Sequence, residues 1–286
     1  MQRSDRESSE EVFLNGRFCS IDEAHISPLD RGFLYGDGIF TTMRAEQGYV
    51  LYLQDHLDRL RRSLTELRLP IPRTVDWKAT LEELLERNRL GDDVASVKIV
   101  MTRGRSSVLG LPETAEATTV IYARPYKPPQ PSTYQTGCRL HVFRNGFSPP
   151  LSQLKSLNYL YHLTARQAAL DAGADEAVLL DVQGRVTETA AGSLLLRTRG
   201  EWWTPQSASQ LPGITLRNVI KIFQEAGLRV TRRPAEAADL FSAETVWVLN
   251  SLIGVMPVSQ LDQHLVSEPA PEEAGRTRIQ FFARGK

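Results

Sequence analysis

Apolar residues recur at helical spacing in several parts of the chain. Between His56 and Leu69, leucines stand three or four residues apart, so one face of a helix there would be apolar. The same spacing predicts a second helix from about Trp77 to Arg89 and a third from about Ile214 to Ala226. We also expect a helix after the segment LKSLNYLYHL and another at the carboxyl end.

Shorter runs rich in β-branched residues predict strands between these helices. The first begins near Val12 and turns back at Asn15-Gly16, a pair that favours a two-residue hairpin loop. The other predicted strands are ASVKIVMTR (95–103), TTVIYARP (118–125), CRLHVFRN (138–145), EAVLLD (176–181), SLLLRT (193–198) and Thr245 to Leu249.

A proline-rich stretch, PYKPPQPSTYQTG (125–137), interrupts this pattern. Proline fixes φ and removes a backbone donor, so we expect an extended connector there. We therefore predict a small amino-terminal α/β domain over 1–127, whose first ten residues form a flexible tail, and a larger domain over 128–286. Because helices and strands alternate in both halves, the predicted fold class is α/β or α+β.

Composition removes several classes of function. The formal net charge is zero, which argues against a nucleic-acid partner. Two cysteines cannot build a disulfide framework, and the five histidines lack metal-ligand spacing, so no metal site is expected. The polar start lacks the apolar stretch of a signal peptide, and no apolar run reaches the length of a membrane span. We expect a cytoplasmic protein that does not bind membranes.

Lys155 is the first candidate for chemistry. Three nearby leucines, Leu154, Leu157 and Leu160, predict a partly apolar pocket around its amine. Desolvation would lower the pKa of such a lysine and favour Schiff-base formation. A lysine that merely extends from a helix end to solvent is the common alternative.

The segment LPGITLRNVI and Glu188 form a second group of candidates. Gly213 precedes a predicted helix, so the amides of Ile214 and Thr215 would point out of its first turn, where phosphate binds. Glu188 follows a predicted strand among small residues and could pair with a protonated pyridine nitrogen. An ordinary helix start and a solvated glutamate are the alternatives.

Two further segments complete the set. Arg59 adjoins the leucine stripe of its helix and could make forked contacts with phosphate, although the neighbouring arginines suggest a solvated basic face. The segment Asp30 to Thr42 carries closely spaced glycines that predict a tight turn leading into a strand. It lacks the third glycine and the helix of a dinucleotide-binding motif.

In this order, six segments resemble the class IV aminotransferases, which are fold-type IV pyridoxal-phosphate enzymes. They are RGFLYGDGIF, HLDRL, LKSLNYL, ADEAVLLDVQGRVTE, LPGIT and VLNSLIGVMPV, and the resemblance extends from about Val12 to Gln260. It implies a small α/β domain, a larger barrel-like α/β domain, pyridoxal 5'-phosphate in the cleft between them, and a homodimer whose sites share residues.

The resemblance also implies roles for individual residues. Lys155 matches the Schiff-base lysine, and Glu188 matches the partner of the pyridine nitrogen. One departure is Ser193, which stands where the family often has asparagine. The residues that match the phosphate-binding and ring-packing set are Arg59, Leu211, Gly213, Ile214, Thr215 and Ser251.

Within the family, GDGIFTT and NSLIGVMPV are most similar to 4-amino-4-deoxychorismate lyases, which form 4-aminobenzoate and pyruvate by β-elimination. A D-amino-acid or branched-chain aminotransferase that uses 2-oxoglutarate or pyruvate is the alternative. Phe40 replaces a tyrosine common in D-amino-acid aminotransferases, and Arg103 and Arg105 are the candidate binders of a substrate carboxylate. A binding protein that keeps the fold without chemistry is a remote third possibility.

Overall fold

The computed structural model describes residues 10–72, 75–112 and 117–286. The tail predicted over 1–10 therefore lies, apart from Glu10, outside the described residues. The chain forms two compact units. The first runs to Lys127 and includes Lys155–Asn158 and Gly285–Lys286, and the second contains Pro128–Leu154 and Tyr159–Arg284.

The first unit is built on a six-stranded antiparallel sheet in the order β2-β1-β6-β5-β3-β4. The turn of the β1-β2 hairpin falls at Asn15 and Gly16, both with positive φ, which confirms the predicted hairpin. Its elements are β1 (Glu11–Leu14), β2 (Arg17–Ser20), α1 (Arg31–Tyr35), β3 (Gly38–Glu46), β4 (Tyr49–Val50), α2 (Leu53–Glu66), α3 (Trp77–Arg87), β5 (Val94–Thr102) and β6 (Thr118–Pro125).

Side-chain alternation explains how this sheet packs. In β5, Ala95, Val97, Ile99 and Met101 are fully buried, whereas the residues between them are partly exposed. Helix α2 packs against β3, and α3 packs against β1 and β6. The predicted helices are confirmed, although α2 begins three residues earlier than its leucine pattern indicated. One face of the sheet therefore packs into an apolar core, and the other face is partly exposed and can hold polar side chains.

The second unit contains a nine-stranded mixed sheet that curls as a half-barrel. Along its main path the order is β12-β11-β10-β13-β14-β7-β8-β9, and β15 pairs with β14. Its elements are α4 (Pro131–Thr136), β7 (Cys138–Phe143), α5 (Leu160–Asp171), β8 (Glu176–Leu180), β9 (Val186–Thr189), β10 (Ser193–Thr198), β11 (Glu201–Pro205), α6 (Ile214–Glu225), β12 (Val230–Arg233), α7 (Ala237–Phe241), β13 (Thr245–Asn250), β14 (Gly254–Leu261), β15 (His264–Leu265) and α8 (Pro271–Ala283).

Small residues let helix α5 approach this sheet closely. Ala165 and Ala169 of the helix are fully buried and cluster with Ala177 and Leu179 of β8 and with Ala190. A separate core of larger aliphatic residues joins β7, β10, β13 and β14. These two clusters hold β9 and the beginning of α5, which carry site residues described below.

Several elements differ from the sequence prediction. The proline-rich stretch was expected to be extended, but it contains α4, because Pro131 occupies a first-turn position whose N–H is not needed. Strands β9, β11, β12 and β14 were not predicted. They are short or interrupted, as by Pro257 in β14. Burial in the mixed sheet compensates for a weak local pattern in β9, β11 and β14, whereas β12 is partly exposed and pairs with β11. The α/β fold class is confirmed.

Within the described part of the chain, no helix combines the length and the apolar composition that crossing a bilayer requires.

Candidate active site

The segment Lys155–Asn158 is held against the start of β3 by backbone hydrogen bonds. The Phe40 N–H donates to the Lys155 carbonyl at 2.8 Å, and the Leu157 N–H donates to the Gly38 carbonyl at 3.0 Å. Between them, Ile39 and Ser156 form an antiparallel bridge. Lys155 therefore belongs to the first unit despite its distance in sequence, and its backbone is as constrained as that of a strand residue.

Glycines make this pairing sterically possible. A Cβ on Gly38 would stand 2.5 Å from the Met101 carbonyl oxygen and 2.8 Å from a methyl carbon of Leu157. Gly36 ends α1 in the left-handed region, at φ +66°, and a Cβ there would lie 2.7 Å from the Asn158 amide oxygen. The turn predicted from the closely spaced glycines is thus present, and the glycines also allow the approach of the lysine segment.

The Lys155 amine lies beside an aromatic ring, which a second lysine also contacts. Its Nζ is 4.7 Å from the ring centroid of Phe40, a buried residue of β3. The Nζ of Lys98, on β5, lies 4.5 Å from the same centroid. The ring attracts both cations by its negative face, and Phe40, predicted as a substrate residue, lies against Lys155.

Arg59 points inward, as its place beside the leucine stripe suggested. It is 7 % exposed, and its Nη2 donates to Thr41 Oγ1 at 3.2 Å. Thr41 Oγ1 also bonds to Nδ1 of buried His56 at 2.7 Å. The sequence analysis did not single out Thr41 or His56. A signal was present, because His56 precedes Arg59 by three residues and so shares its helix face.

Arg103, which was predicted to bind a substrate carboxylate, is buried and has its donors engaged within the protein. Its side chain is 0 % exposed and makes two hydrogen bonds to the Asp37 carboxylate, at 2.8 and 3.1 Å. Its remaining donors go to the carbonyls of Leu67, Arg68 and Pro112. All five N–H donors of the guanidinium are thus used inside the first unit, and none is left for a substrate.

Asp37 is the centre of a buried charged cluster that sequence reasoning missed. Arg31 Nε also donates to its carboxylate, at 2.7 Å. Burial by itself raises the pKa of Asp37, but hydrogen bonds and charges from Arg103 and Arg31 outweigh it and hold the pKa below the ordinary value. The cluster secures the loop between α1 and β3, which pairs with the lysine segment.

Two other predicted residues lie in loops. Arg105 is exposed and pairs through its backbone with Asp30, in the loop after β5. Ser251 lies in the turn between β13 and β14 and is half-buried. Both remain predictions as binding residues.

In the second unit, Glu188 is buried on β9. Its Oε1 accepts a hydrogen bond from the Leu211 N–H at 3.3 Å and lies 4.0 Å from Nε2 of His162. Glu188 and Leu211, predicted from separate segments, are therefore neighbours. His162 was dismissed at the sequence level as one of five scattered histidines, and only the packing of α5 on β8 brings it here.

The start of α6 has no side-chain cap. Gly213 is its N-cap and supplies no side chain, so the first-turn amides of Ile214 and Thr215 are left without a capping group. The buried Thr215 Oγ1 has no hydrogen-bond partner. A Cβ on Gly213 would lie 2.3 Å from Ser193 Oγ, so a larger residue there would force the serine hydroxyl to move.

A family model described as "Amino-transferase class IV" matches residues 38–261. The chain is 34 % identical over 260 residues to a putative branched-chain-amino-acid aminotransferase of Methanocaldococcus jannaschii, covering 90 % of this chain and 89 % of that one. It is 31 % identical to the aminodeoxychorismate lyase of Vibrio harveyi, covering 84 % and 88 %.

Among solved structures, the branched-chain amino acid aminotransferase of T.th. with pyridoxamine 5'-phosphate is similar, at a TM-score of 0.85 and 26 % identity. The match covers 96 % of this chain and 95 % of that one. The family model spans most of the chain, and the first relative is similar over nearly its full length. The chain therefore belongs to the class IV aminotransferase family.

Proposed function

We propose that the protein is a pyridoxal-phosphate enzyme and that Lys155 carries the cofactor. The observation that carries this proposal is the hydrogen-bonded attachment of Lys155–Asn158 to β3, with the amine beside the Phe40 ring. A lysine in solvent needs no such support, because surface side chains function without a constrained backbone. A lysine that must meet an aldehyde carbon at a set distance does need it.

The chemistry of the donor set fits pyridoxal phosphate. Thr215 Oγ1 is buried without a partner, and the amides beside it open the first turn of α6, which suits a phosphate group. The buried Glu188 carboxylate accepts one long backbone hydrogen bond, so it has capacity left for a protonated ring nitrogen. Arg59 supplies a buried cation for the phosphate.

These residues divide the work among them. When bound, pyridoxal phosphate supplies an electron sink for the pair left behind when a substrate carbon loses its proton. The Lys155 amine would hold the cofactor, and when free its Nζ would be the group that takes up and returns the substrate proton. Glu188 would favour the protonated form of the ring nitrogen, and Leu211 would pack against the ring.

We propose 4-amino-4-deoxychorismate lyase as the reaction, which yields 4-aminobenzoate and pyruvate. The segments GDGIFTT and NSLIGVMPV and the Vibrio harveyi relative support it. Since the donors of Arg103 are used inside the first unit, we propose Lys98 beside Arg105 as a candidate binder of a substrate carboxylate. The second candidate is an aminotransferase, which the 34 % identical Methanocaldococcus jannaschii relative favours.

Cofactor attachment is the first test. The protein mixed with pyridoxal phosphate is expected to absorb in the visible, and borohydride reduction should leave the pyridoxyl group on Lys155 in a peptide map. Lys155→Ala should lose both signals, whereas Lys78→Ala, which removes an exposed helix lysine, should keep them. A colourless wild-type protein would refute the proposal.

Product analysis then separates the two reactions. Incubation with 4-amino-4-deoxychorismate should release 4-aminobenzoate and pyruvate in equal amounts. In parallel, branched-chain and D-amino acids are offered with 2-oxoglutarate or pyruvate. Glutamate or alanine formation without 4-aminobenzoate would make the protein an aminotransferase and exclude the lyase.

We also propose that the protein is a homodimer, as the family resemblance implies. Arg31 donates to the carbonyls of Val108 and Gly110, which joins two stretches of the first unit that expose large apolar side chains. Exposed apolar surface of this extent is typical of interfaces. The side chains, each between 46 and 82 % exposed, are Ile26, Leu29, Phe33, Leu34, Val108 and Leu109.

Light scattering tests the dimer. The wild-type protein should have twice the 32.1 kDa mass of one chain. Phe33→Asp should shift it to the monomer, whereas Phe147→Asp, at an exposed phenylalanine of the second unit, should leave the mass unchanged. A monomeric wild-type protein would refute this proposal and leave the cofactor chemistry untouched.

A further inference from the structure

Glu188 has few partners for a buried carboxylate. Within the described residues, its only hydrogen-bond or ion-pair neighbours are the Leu211 N–H at 3.3 Å and His162 Nε2 at 4.0 Å. No arginine or lysine in that part of the chain lies within ion-pair distance of it. Burying a charge is costly unless it is paired. The orientation of the Glu188 carboxylate therefore depends on the few groups that contact it.

His162 is held rigidly beside this carboxylate. It lies in the first turn of α5, and its ring stacks on Tyr159 with centroids 4.4 Å apart and planes at 4°. The Tyr159 hydroxyl in turn donates to the Ala190 carbonyl at 2.6 Å. Ala190 follows Glu188 by two residues. The contacts from Glu188 to His162, from His162 to Tyr159 and from Tyr159 to Ala190 therefore begin and end in the same segment.

The side chain of Tyr159 is a neutral phenol. Burial raises its pKa well above the ordinary value, and the negative charges of Glu188 and Glu176 raise it further. Its hydroxyl therefore keeps its proton and its bond to Ala190. The His162 imidazole consequently stacks on a tyrosine ring whose position is fixed by a hydrogen bond.

The buried Nδ1 of His162 has no hydrogen-bond partner. A neutral imidazole carries one hydrogen, and placing it on Nδ1 would bury an unpaired donor. We therefore assign a hydrogen to Nε2, the ring nitrogen that faces Glu188 Oε1. At 4.0 Å this is an electrostatic contact between an N–H dipole and a carboxylate, and not a hydrogen bond.

We propose that His162 is a positioning residue for Glu188, an inference that rests on the proposed function. Its Nε2–H holds the carboxylate in the orientation that receives the protonated ring nitrogen of pyridoxal phosphate. His162 faces Glu188, and in this proposal it acts on the cofactor only through the contact between Glu188 and the ring nitrogen. This restriction separates positioning from a general role in stability.

Cofactor affinity of the apoprotein tests it, measured by equilibrium dialysis with pyridoxal phosphate and with an analogue that has CH in place of the ring nitrogen. His162→Phe keeps the stacking on Tyr159 and removes the N–H. It should bind pyridoxal phosphate about 5- to 10-fold more weakly, the effect of a contact to a charged group. The analogue should bind the wild-type protein and His162→Phe with affinities equal within about twofold, because it lacks the ring nitrogen that Glu188 would contact.

Two further variants sharpen the test. His162→Gln can restore an N–H toward Glu188 and should recover most of the lost affinity. In a Glu188→Gln background, His162→Phe should have no further effect, because the two residues act as one unit. Should His162→Phe fail to fold, His162→Asn, which is too short to reach Glu188, takes its place in the same comparison.

The outcomes are distinguishable from those of the proposed function. Equal losses of affinity for pyridoxal phosphate and for the analogue, or no loss for either, would overturn the role of His162 while leaving Lys155 as the attachment site. A wild-type protein that binds no pyridoxal phosphate would overturn both.

Discussion

Replacing Asp37 with asparagine tests how much the charged cluster of the first unit contributes. The carboxylate is 7 % exposed and lies between guanidinium groups that are 6 % and 0 % exposed, those of Arg31 and Arg103. Asp37→Asn preserves shape but leaves both cations buried without a counter-charge. Loss of one partner from a buried ion pair costs about 3–5 kcal/mol, so we expect the free energy of unfolding to fall by about that amount.

Urea unfolding at pH 7 measures this change. The matched control is Asp58→Asn, because Asp58 pairs with Arg61 on α2 with both side chains about half exposed. Exposed pairs contribute about 0–1 kcal/mol, so the control should change stability little. Because the two units need not unfold together, the transition should be followed by probes in each unit.

The pH dependence has a definite sign. The pKa of folded Asp37 lies below the 3.8 of an unperturbed aspartate, so the folded state favours the charged form. Its stabilisation is complete above that value and is lost as the pH falls through the lower folded pKa. The difference between wild type and Asp37→Asn should therefore be constant near neutrality and shrink below about pH 4.

Two results would refute this reasoning. A loss of less than about 1 kcal/mol would equal that of an exposed pair. A difference that already shrinks between pH 7 and 5 would mean that another group titrates.

Three further predictions concern the site. Gly38→Ala should destabilise the first unit by about 1–3 kcal/mol in urea unfolding, because the new Cβ would lie 2.5 Å from a carbonyl oxygen of β5; an unchanged midpoint would contradict this. Thr215→Val should weaken pyridoxal-phosphate binding about 3- to 10-fold without loss of apoprotein stability, since the buried hydroxyl has no partner. Thr204→Val, which removes a buried hydrogen bond to a carbonyl, should lower stability and spare affinity. Lys98→Met should raise the KM for a carboxylate substrate about tenfold with little change in kcat, whereas Lys78→Met should change neither; a loss in kcat alone would argue against carboxylate binding.

The local sequence pattern was sufficient to predict an element wherever nearby residues alone determine its structure. The leucine spacing of α2, the hairpin at Asn15-Gly16 and the start of α6 at Gly213 all depend on neighbours a few residues away. Lys155 was recognisable because several segments in a fixed order carry the family resemblance.

Long-range contacts were beyond such reasoning. Arg103 and Arg105 lie two residues apart in similar sequence surroundings. Arg103 donates all its hydrogen bonds to Asp37 and three carbonyls, whereas Arg105 is exposed. Side-chain fate depends on which carbonyls and carboxylates the fold brings within about 3 Å, and no local rule contains that information.

By itself, then, the sequence determined the α/β class, the family and the lysine that is proposed to carry the cofactor, because these depend on periodicity and on ordered motifs. Tertiary structure alone decided that residues 155–158 pair with β3, that Glu188 meets Leu211, and that His162 faces Glu188. The physical reason is that hydrogen bonds and electrostatic contacts act over a few ångströms, and only folding brings residues that are distant in sequence within that range.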